Sequence, residues 1–285
     1  MNPDQHTTLD SLIAEAGGRD KISAEFLARQ IDGNHDTPER CNAVMSMLAD
    51  AARTGDLRLI TDTICATDPA RVGMFVGLLM MLAEEPVFDD LLESIIREVP
   101  AESALTLFCK SCAVFFHQEK FRPLIACATC VEILGDELIT RNGRGDLGAA
   151  VGESLILKAK VLHVSMDLDA ALVASDHAVW FITTSGFFPA GSTKPTRLLA
   201  DSCLLHDHML VEAGRLDDAR FYFGEANATY LDLLNAGEDT ADQIVSTFRI
   251  LEEVLTKSGH PDGAAICKRA AASIAATIDG EGKKQ

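Results

Sequence analysis

Two segments in the last third of the chain repeat one pattern of glycine and alanine. Residues 212–226 read EAGRLDDARFYFGEA, and residues 257–271 read KSGHPDGAAICKRAA. In both, an apolar residue or proline follows the glycine by two positions, and alanines follow it by five and twelve. Glycine permits a tight turn, and alanines seven apart lie on one helix face, where they let a second helix approach closely. The pattern predicts pairs of helices joined by short turns.

Weaker copies of the same pattern precede these two segments. The predicted turn positions are Gly55, Pro86, Glu119, Met166, Gly214 and Gly259. Their spacings are 31, 33, 47, 48 and 45 residues, and glycine-rich breaks at 142–145 and 185–195 lie where longer linkers are needed. No segment alternates apolar and polar residues as a strand would, so every regular element is expected to be helical.

The pattern resembles the inter-helix turn and second helix of the tetratricopeptide repeat, whose period is about 34 residues. The resemblance covers roughly residues 38–278. It implies an all-α fold, an α-α superhelix of about six stacked antiparallel hairpins, with longer spacing after residue 140. A generic solenoid of helical hairpins that matches the pattern by accident is the alternative.

The repeat pattern also divides the chain. Residues 37–278 form the predicted repeat domain, and residues 279–285 a disordered tail. Residues 1–36 contain two short amphipathic segments, Leu9–Ala16 and Ser23–Ile31, which we expect to cap the first repeat. A DNA-binding helix-turn-helix is disfavoured because neither segment is basic.

Charge and hydropathy limit the function classes. The net charge of −18 disfavours nucleic acid and anionic lipid surfaces as partners. No secretory leader is seen, and the longest uncharged apolar run, residues 72–83, is too short to insert across a membrane. Eight cysteines in a leaderless chain favour reduced thiols, so the predicted location of this acidic protein is the cytoplasm.

One cysteine arrangement points to a metal. Cys109-x-x-Cys112 and Cys127-x-x-Cys130 have the spacing of a zinc or iron–sulfur site, so a metal-binding or redox protein is one alternative function. However, no glycine lies within or beside either pair, and both lie in helix-favouring runs. When this segment is aligned with the glycine–alanine pattern, Cys112 falls between the two helices of a hairpin and Cys109 falls on the open side of the first helix. Cys127 and Cys130 then fall on the flanks of the second helix. We therefore expect structural cysteines, with no metal and no other cofactor.

A second cluster, Cys203, His206 and His208, also lacks the geometry of a metal site. Cys203 and His206 are one helical turn apart, whereas His208 faces elsewhere. The expected structure is a polar groove face with one buried cysteine. No motif of a hydrolase, a nucleotide-binding loop or a dinucleotide-binding turn occurs, so the chain is predicted not to be an enzyme.

The resemblance implies a groove lined by the first helix of each hairpin, which binds a peptide or protein segment. The predicted groove residues are Phe116, His117, Ile156, Lys160, His163, Leu204, His208, Arg249 and Glu253. The expected partner is a basic or amphipathic protein or peptide, which would make this chain an interaction scaffold, an adaptor or a chaperone-like protein. A ligand-sensing regulatory protein is a further alternative, and self-association stays open. The groove histidines predict binding that changes near pH 6 to 7.

Overall fold

A computed structural model describes residues 3–33, 38–184, 194–238 and 240–281, and all regular elements in these ranges are helical. The predicted all-α class is confirmed. The chain divides into two compact units, one ending at Arg141 and one beginning at Asn142. None of the helices in the described ranges combines the length and the apolar character needed to cross a membrane.

The first unit contains helices that pack in two series. They are α1 (Pro3–Ala16), α2 (Ala24–Asp32), α3 (Pro38–Arg53), α4 (Leu57–Ala66), α5 (Val76–Leu82), α6 (Phe88–Glu98), α7 (Ala101–His117) and α8 (Phe121–Gly135). Helices α1, α3, α5 and α7 contact one another in order, and so do α2, α4, α6 and α8. A 3₁₀ segment, Pro69–Phe75, precedes α5, and a π-helical turn, Asp136–Arg141, follows α8.

The second unit contains three helical hairpins. Its helices are α9 (Gly148–Val164), α10 (Leu168–Thr184), α11 (Lys194–Glu212), α12 (Leu216–Asn235), α13 (Ala241–Lys257) and α14 (Pro261–Glu281). The pairs α9–α10, α11–α12 and α13–α14 are the hairpins, and the first helices α9, α11 and α13 contact one another in order. Within this unit the stacking of hairpins in chain order is as predicted.

The turns inside the hairpins follow the sequence prediction closely. Backbone φ is positive at Gly55 (87°), Glu119 (54°), Met166 (65°), Gly214 (75°) and Gly259 (76°). After each of these residues, the next amide donates to the carbonyl five residues earlier, with N···O distances of 2.8–3.0 Å. This is the Schellman ending of a helix, in which a left-handed residue lets the chain reverse while the last carbonyls keep partners. The sixth predicted turn residue, Pro86, lies between α5 and α6 without this geometry.

Small residues let the two helices of a hairpin approach closely. The alanines predicted to face the first helix are buried in all three hairpins of the second unit: Ala171 and Ala178, Ala219 and Ala226, Ala264 and Ala271. In α9, a Cβ atom added at Gly152 would lie 2.3 Å from Cγ1 of Ile182 and 3.2 Å from the carbonyl oxygen of Ala178. A methyl group at position 152 therefore fits only if the Ile182 side chain shifts.

The predicted amphipathic segments near the N-terminus form α1 and α2, which pack on α3 and α4. Their role as a cap and the predicted domain boundaries stay predictions. Of the predicted loop at 185–195, residues 185–193 lie outside the described residues, and α11 begins at Lys194. Helix α14 extends to Glu281, and residues 282–285 of the predicted tail lie outside the described residues.

The hairpin interface can be tested with two matched glycine substitutions. Gly152→Ala should destabilise the protein by about 1–3 kcal/mol, because the new methyl group overlaps Ile182. Gly224→Ala, in α12, meets no atom within 4 Å, so it should stabilise the helix by about 0.5–1 kcal/mol. Denaturant unfolding measures both changes. Equal effects of the two substitutions would contradict the close approach of α9 and α10.

Candidate functional site

The twin Cys-x-x-Cys pairs lie inside helices α7 and α8, as the sequence predicts. Cys109 is half-buried, and Cys112 is fully buried with its Sγ 4.0 Å from the carbonyl oxygen of Leu124. Cys127 and Cys130, which the repeat pattern places on the flanks of α8, are both buried. Burial, together with the neighbouring sulfurs of Cys112 and Cys130, holds the pKa of Cys127 well above its ordinary value. Cys127 is therefore a protonated thiol at neutral pH, not a reactive thiolate.

In the described part of the chain, no three side chains of His, Cys, Asp or Glu form a group that could hold a metal ion. The four cysteines of the twin pairs all belong to this part.

The predicted groove residues divide between the two units. Phe116, half-buried, and His117, exposed, end α7 in the first unit. The others lie on the first helices of the second unit: Ile156, Lys160 and His163 on α9, Leu204 and His208 on α11, and Arg249 and Glu253 on α13. Ile156 is only 8% exposed, so its predicted place on an open surface is wrong, and it belongs to the core.

Polar contacts join these first helices. The carboxylate of Glu212, at the end of α11, contacts two histidines. One of its oxygens lies 2.6 Å from Nε2 of His163, and the other lies 3.2 Å from Nε2 of His208. The hydrogen bond from His163, and then the nearby charges of His163, His208 and Lys257, lower the pKa of the Glu212 carboxyl. Lys257 of α13 lies 3.4 Å from the Val211 carbonyl and 2.8 Å from Glu253. These contacts give α9, α11 and α13 a common polar surface, the first-helix face, which also carries Lys160 and Arg249.

His206 lies on a different side of α11 from His208, because residues two positions apart in a helix point about 200° away from each other around its axis. Its side chain is 4% exposed, with Nδ1 2.7 Å from the Ser175 hydroxyl and its ring 4.5 Å from the Tyr222 ring, centroid to centroid. His206 is therefore enclosed between helices, whereas His208 is the histidine of this cluster that the sequence predicts for the groove. The predicted burial of Cys203 is confirmed, and burial raises its pKa to about 12. Burial lowers the pKa of His206, which keeps its imidazole neutral at pH 7.

A cavity of about 500 Å³ opens beside His206, between α10, α11 and α12. We call it the His206 cavity. Besides His206, it is lined by three carboxylates, one guanidinium, two aromatic rings and two aliphatic side chains: Asp169, Asp176, Asp218, Arg215, Phe221, Tyr222, Leu172 and Val173. The Tyr222 hydroxyl donates to Oδ1 of Asp176 at 3.0 Å, and Arg215 pairs with Asp218 at 2.7 Å.

The neighbours of His206 include a serine and an aspartate but do not form a hydrolytic triad. Ser175 is 1% exposed, and its hydroxyl lies 3.0 Å from the Leu172 carbonyl, so no substrate reaches it. Nε2 of His206 lies 3.9 Å from Oδ1 of Asp176, which is beyond hydrogen-bond distance. The arrangement thus lacks the accessible nucleophile and the aligned base that acyl transfer needs.

One carboxyl group next to His206 is buried without a partner. Asp207 is fully buried, and neither of its oxygens accepts or donates a hydrogen bond to the described residues. Burial raises its pKa to about 7. Asp207 therefore changes its charge near neutral pH, inside the second unit.

Comparison with known proteins gives the fold and leaves the function open. No family model matches the sequence, and no curated protein matches it. The fold is similar to that of the crystal structure of BtubC (BKLC) from P. vanneervenii, with a TM-score of 0.50 and 17% identity over 86% of this chain and 94% of that chain. At this identity the similarity concerns the fold alone. It supports an all-α fold resembling the helical-repeat proteins.

Substitution of Asp207 should change the pH dependence of stability. An unfolded Asp ionises near pH 3.8, whereas the buried group ionises near pH 7, so the folded state loses relative stability as pH rises between these values. Asp207→Asn removes this loss. The free energy of unfolding of the variant should exceed that of the wild type by on the order of 3 kcal/mol at pH 8, and this difference should disappear near pH 4.

Denaturant unfolding at both pH values measures this difference, with Asp232→Asn as the control. Asp232 is exposed on the neighbouring helix α12, so its substitution makes the same charge change without altering the buried site. A gain that is equal at pH 4 and pH 8 would show that Asp207 is ionised in the folded protein at low pH as well.

Proposed function

We propose that this protein is a non-enzymatic interaction scaffold, or adaptor, that binds a peptide or protein segment on its first-helix face. The observation that carries the proposal is the alignment of α9, α11 and α13, whose polar side chains meet through Glu212 and Lys257. Because these contacts fix the helices side by side, the exposed Lys160, His208 and Arg249 form one surface.

The proposal includes membership of the tetratricopeptide-repeat class. The five Schellman turns at the predicted positions and the buried alanine pairs of the second unit support it. A protein of this class uses its first helices to hold an extended or helical segment of a partner. A cytoplasmic location is part of the same proposal, because a reducing compartment suits a chain with eight cysteines.

The chemistry of the face indicates the kind of partner. Lys160, Arg249 and Glu253 are exposed, while Leu204 is half-buried between them and the core. A segment with both signs of charge and one apolar side fits such a surface. The net charge of −18 favours a basic or amphipathic segment over an acidic one, because like charges slow association.

Paired charge substitutions test the proposed face. A partner captured from the native host is first identified, and its affinity for the purified chain is then measured by calorimetry. Lys160→Ala combined with Arg249→Ala should weaken binding about tenfold or more, because both side chains lie on the face and contribute to recognition.

Lys268→Ala combined with Arg269→Ala is the matched control. It also removes two positive charges, but from exposed positions on α14, a second helix. Its affinity should stay within about twofold of the wild type. If both pairs of substitutions weaken binding equally, the loss of affinity follows from the change in net charge alone. If neither pair changes the affinity, the first-helix face is not the binding surface.

A further inference from the structure

One buried side chain of the second unit differs from the other buried polar groups around it. Asp207 is 0% exposed, and neither of its carboxyl oxygens has a hydrogen-bond partner among the described residues. By contrast, the buried hydroxyls of Ser175, Ser202, Thr240 and Thr247 each lie 2.6–3.0 Å from a backbone carbonyl. A buried carboxyl without partners destabilises the packing around it, and it does so most strongly when it is charged.

Helix geometry places Asp207 at the junction with α13. Cys203 and Val211 lie four residues before and after it, so all three share one side of α11. Cys203 packs in one apolar cluster with Ile244 of α13, and Val211 packs in another with Val254 of α13. Because residues of α13 join the clusters at both ends of this side, Asp207 lies between α11 and the α13–α14 hairpin.

The charge of an ionised Asp207 is not compensated in this packing. Burial alone raises the pKa of Asp207 to about 7. Cys203 responds to that charge, since burial, then Glu225 of α12, then Asp207 raise the pKa of its thiol. Ionisable side chains that the neighbouring helices turn toward α11 have other partners: His163 of α9 with Glu212, Asp176 of α10 with Tyr222 of α12, Tyr230 of α12 with Asp201, and Lys257 of α13 with Glu253.

Movement of the α13–α14 hairpin would bring water to Asp207. The main contacts of this hairpin with the other described helices are those of α13 with α11 and α12. Some are polar: the Thr247 hydroxyl lies 3.2 Å from Oδ1 of Asn227. Nζ of Lys257 lies 3.4 Å from the Val211 carbonyl. Water replaces such hydrogen bonds at a small net cost, and stacked hairpins can open one at a time because each contacts only its neighbours.

We propose that Asp207 makes the junction between α11 and the α13–α14 hairpin a pH-sensitive switch, which stays docked while the carboxyl is protonated and opens more often once it is ionised. Opening hydrates the carboxylate, so in the open state the pKa of Asp207 returns from about 7 toward its ordinary value of 3.8. The open state therefore gains population as pH rises from about 4 to 7, and its population stays level above pH 7. The switch requires no ligand, so it is independent of the proposed function of the first-helix face.

Hydrogen exchange of the full chain, corrected for the intrinsic exchange rate at each pH, tests the switch. In the wild type, amides of α13 and α14 should exchange through an opening of lower free energy than the opening that exposes amides of α9 and α10, because the hairpin opens without those two helices. The open population of the hairpin should rise on the order of 100-fold between pH 5 and pH 8.

Two substitutions of Asp207 separate its titration from that of the histidines, which change charge in the same pH range. Asp207→Asn keeps the shape of the side chain and cannot ionise, so the ratio of hairpin opening in the wild type to that in the variant should grow on the order of 100-fold between pH 5 and pH 8. Asp207→Leu should give the same result, and it leaves no buried polar group at this position. The control Asp232→Asn, exposed on α12, should keep the wild-type rise.

Either of two results would overturn the proposal. If amides of α13–α14 and of α9–α10 open with equal free energies, the hairpin does not open separately. If the rise between pH 5 and pH 8 persists in both Asp207 variants, another group causes it. Neither result concerns Lys160 or Arg249, so the proposed function of the first-helix face is tested separately.

Discussion

The close approach of the two helices in each hairpin is the constraint on which the rest of the second unit depends. Buried alanines seven residues apart line the hairpin interfaces, and a side chain at Gly152 would overlap Ile182. The left-handed turn residues allow the chain to reverse immediately at the end of the first helix. Because the second helix must return directly along the first, consecutive first helices come into contact, and α9, α11 and α13 form one face.

The same packing places two sides of α11 in different surroundings. Its neighbours on one side are first helices, and there His208 and Glu212 meet His163. On another side it lies between α10 and α12, and there His206 is enclosed beside a cavity. Between these sides the buried Asp207 has no hydrogen-bond partner among the described residues, and its raised pKa is the reason to expect stability that depends on pH. One helix thus takes part in two different surfaces and carries a buried carboxyl group between them.

Local pattern predicted the hairpins, whereas contacts between distant residues could not be predicted. The sequence predicts the turn at Met166 although no glycine is present there. Ala171 and Ala178 follow Met166 at the same distances as the alanines of the repeated pattern, and they mark the second helix. The phase also assigned residues to the first helices, yet it misplaced Ile156, because a small angular error moves a side chain from surface to core. The contacts of Glu212 with His163 and of Tyr222 with Asp176 join residues 49 and 46 positions apart, and one sequence contains no information on such pairs.

The most direct test of the account is site-specific photocrosslinking to the captured partner. A photoreactive side chain is placed at Arg249 of α13 in one variant and at Ile266 of α14, which is 59% exposed, in another. If partners bind the first helices, the partner should crosslink from position 249 and not from position 266. Crosslinking from position 266 with equal or higher yield would contradict the account, because it would place the partner on the second helices.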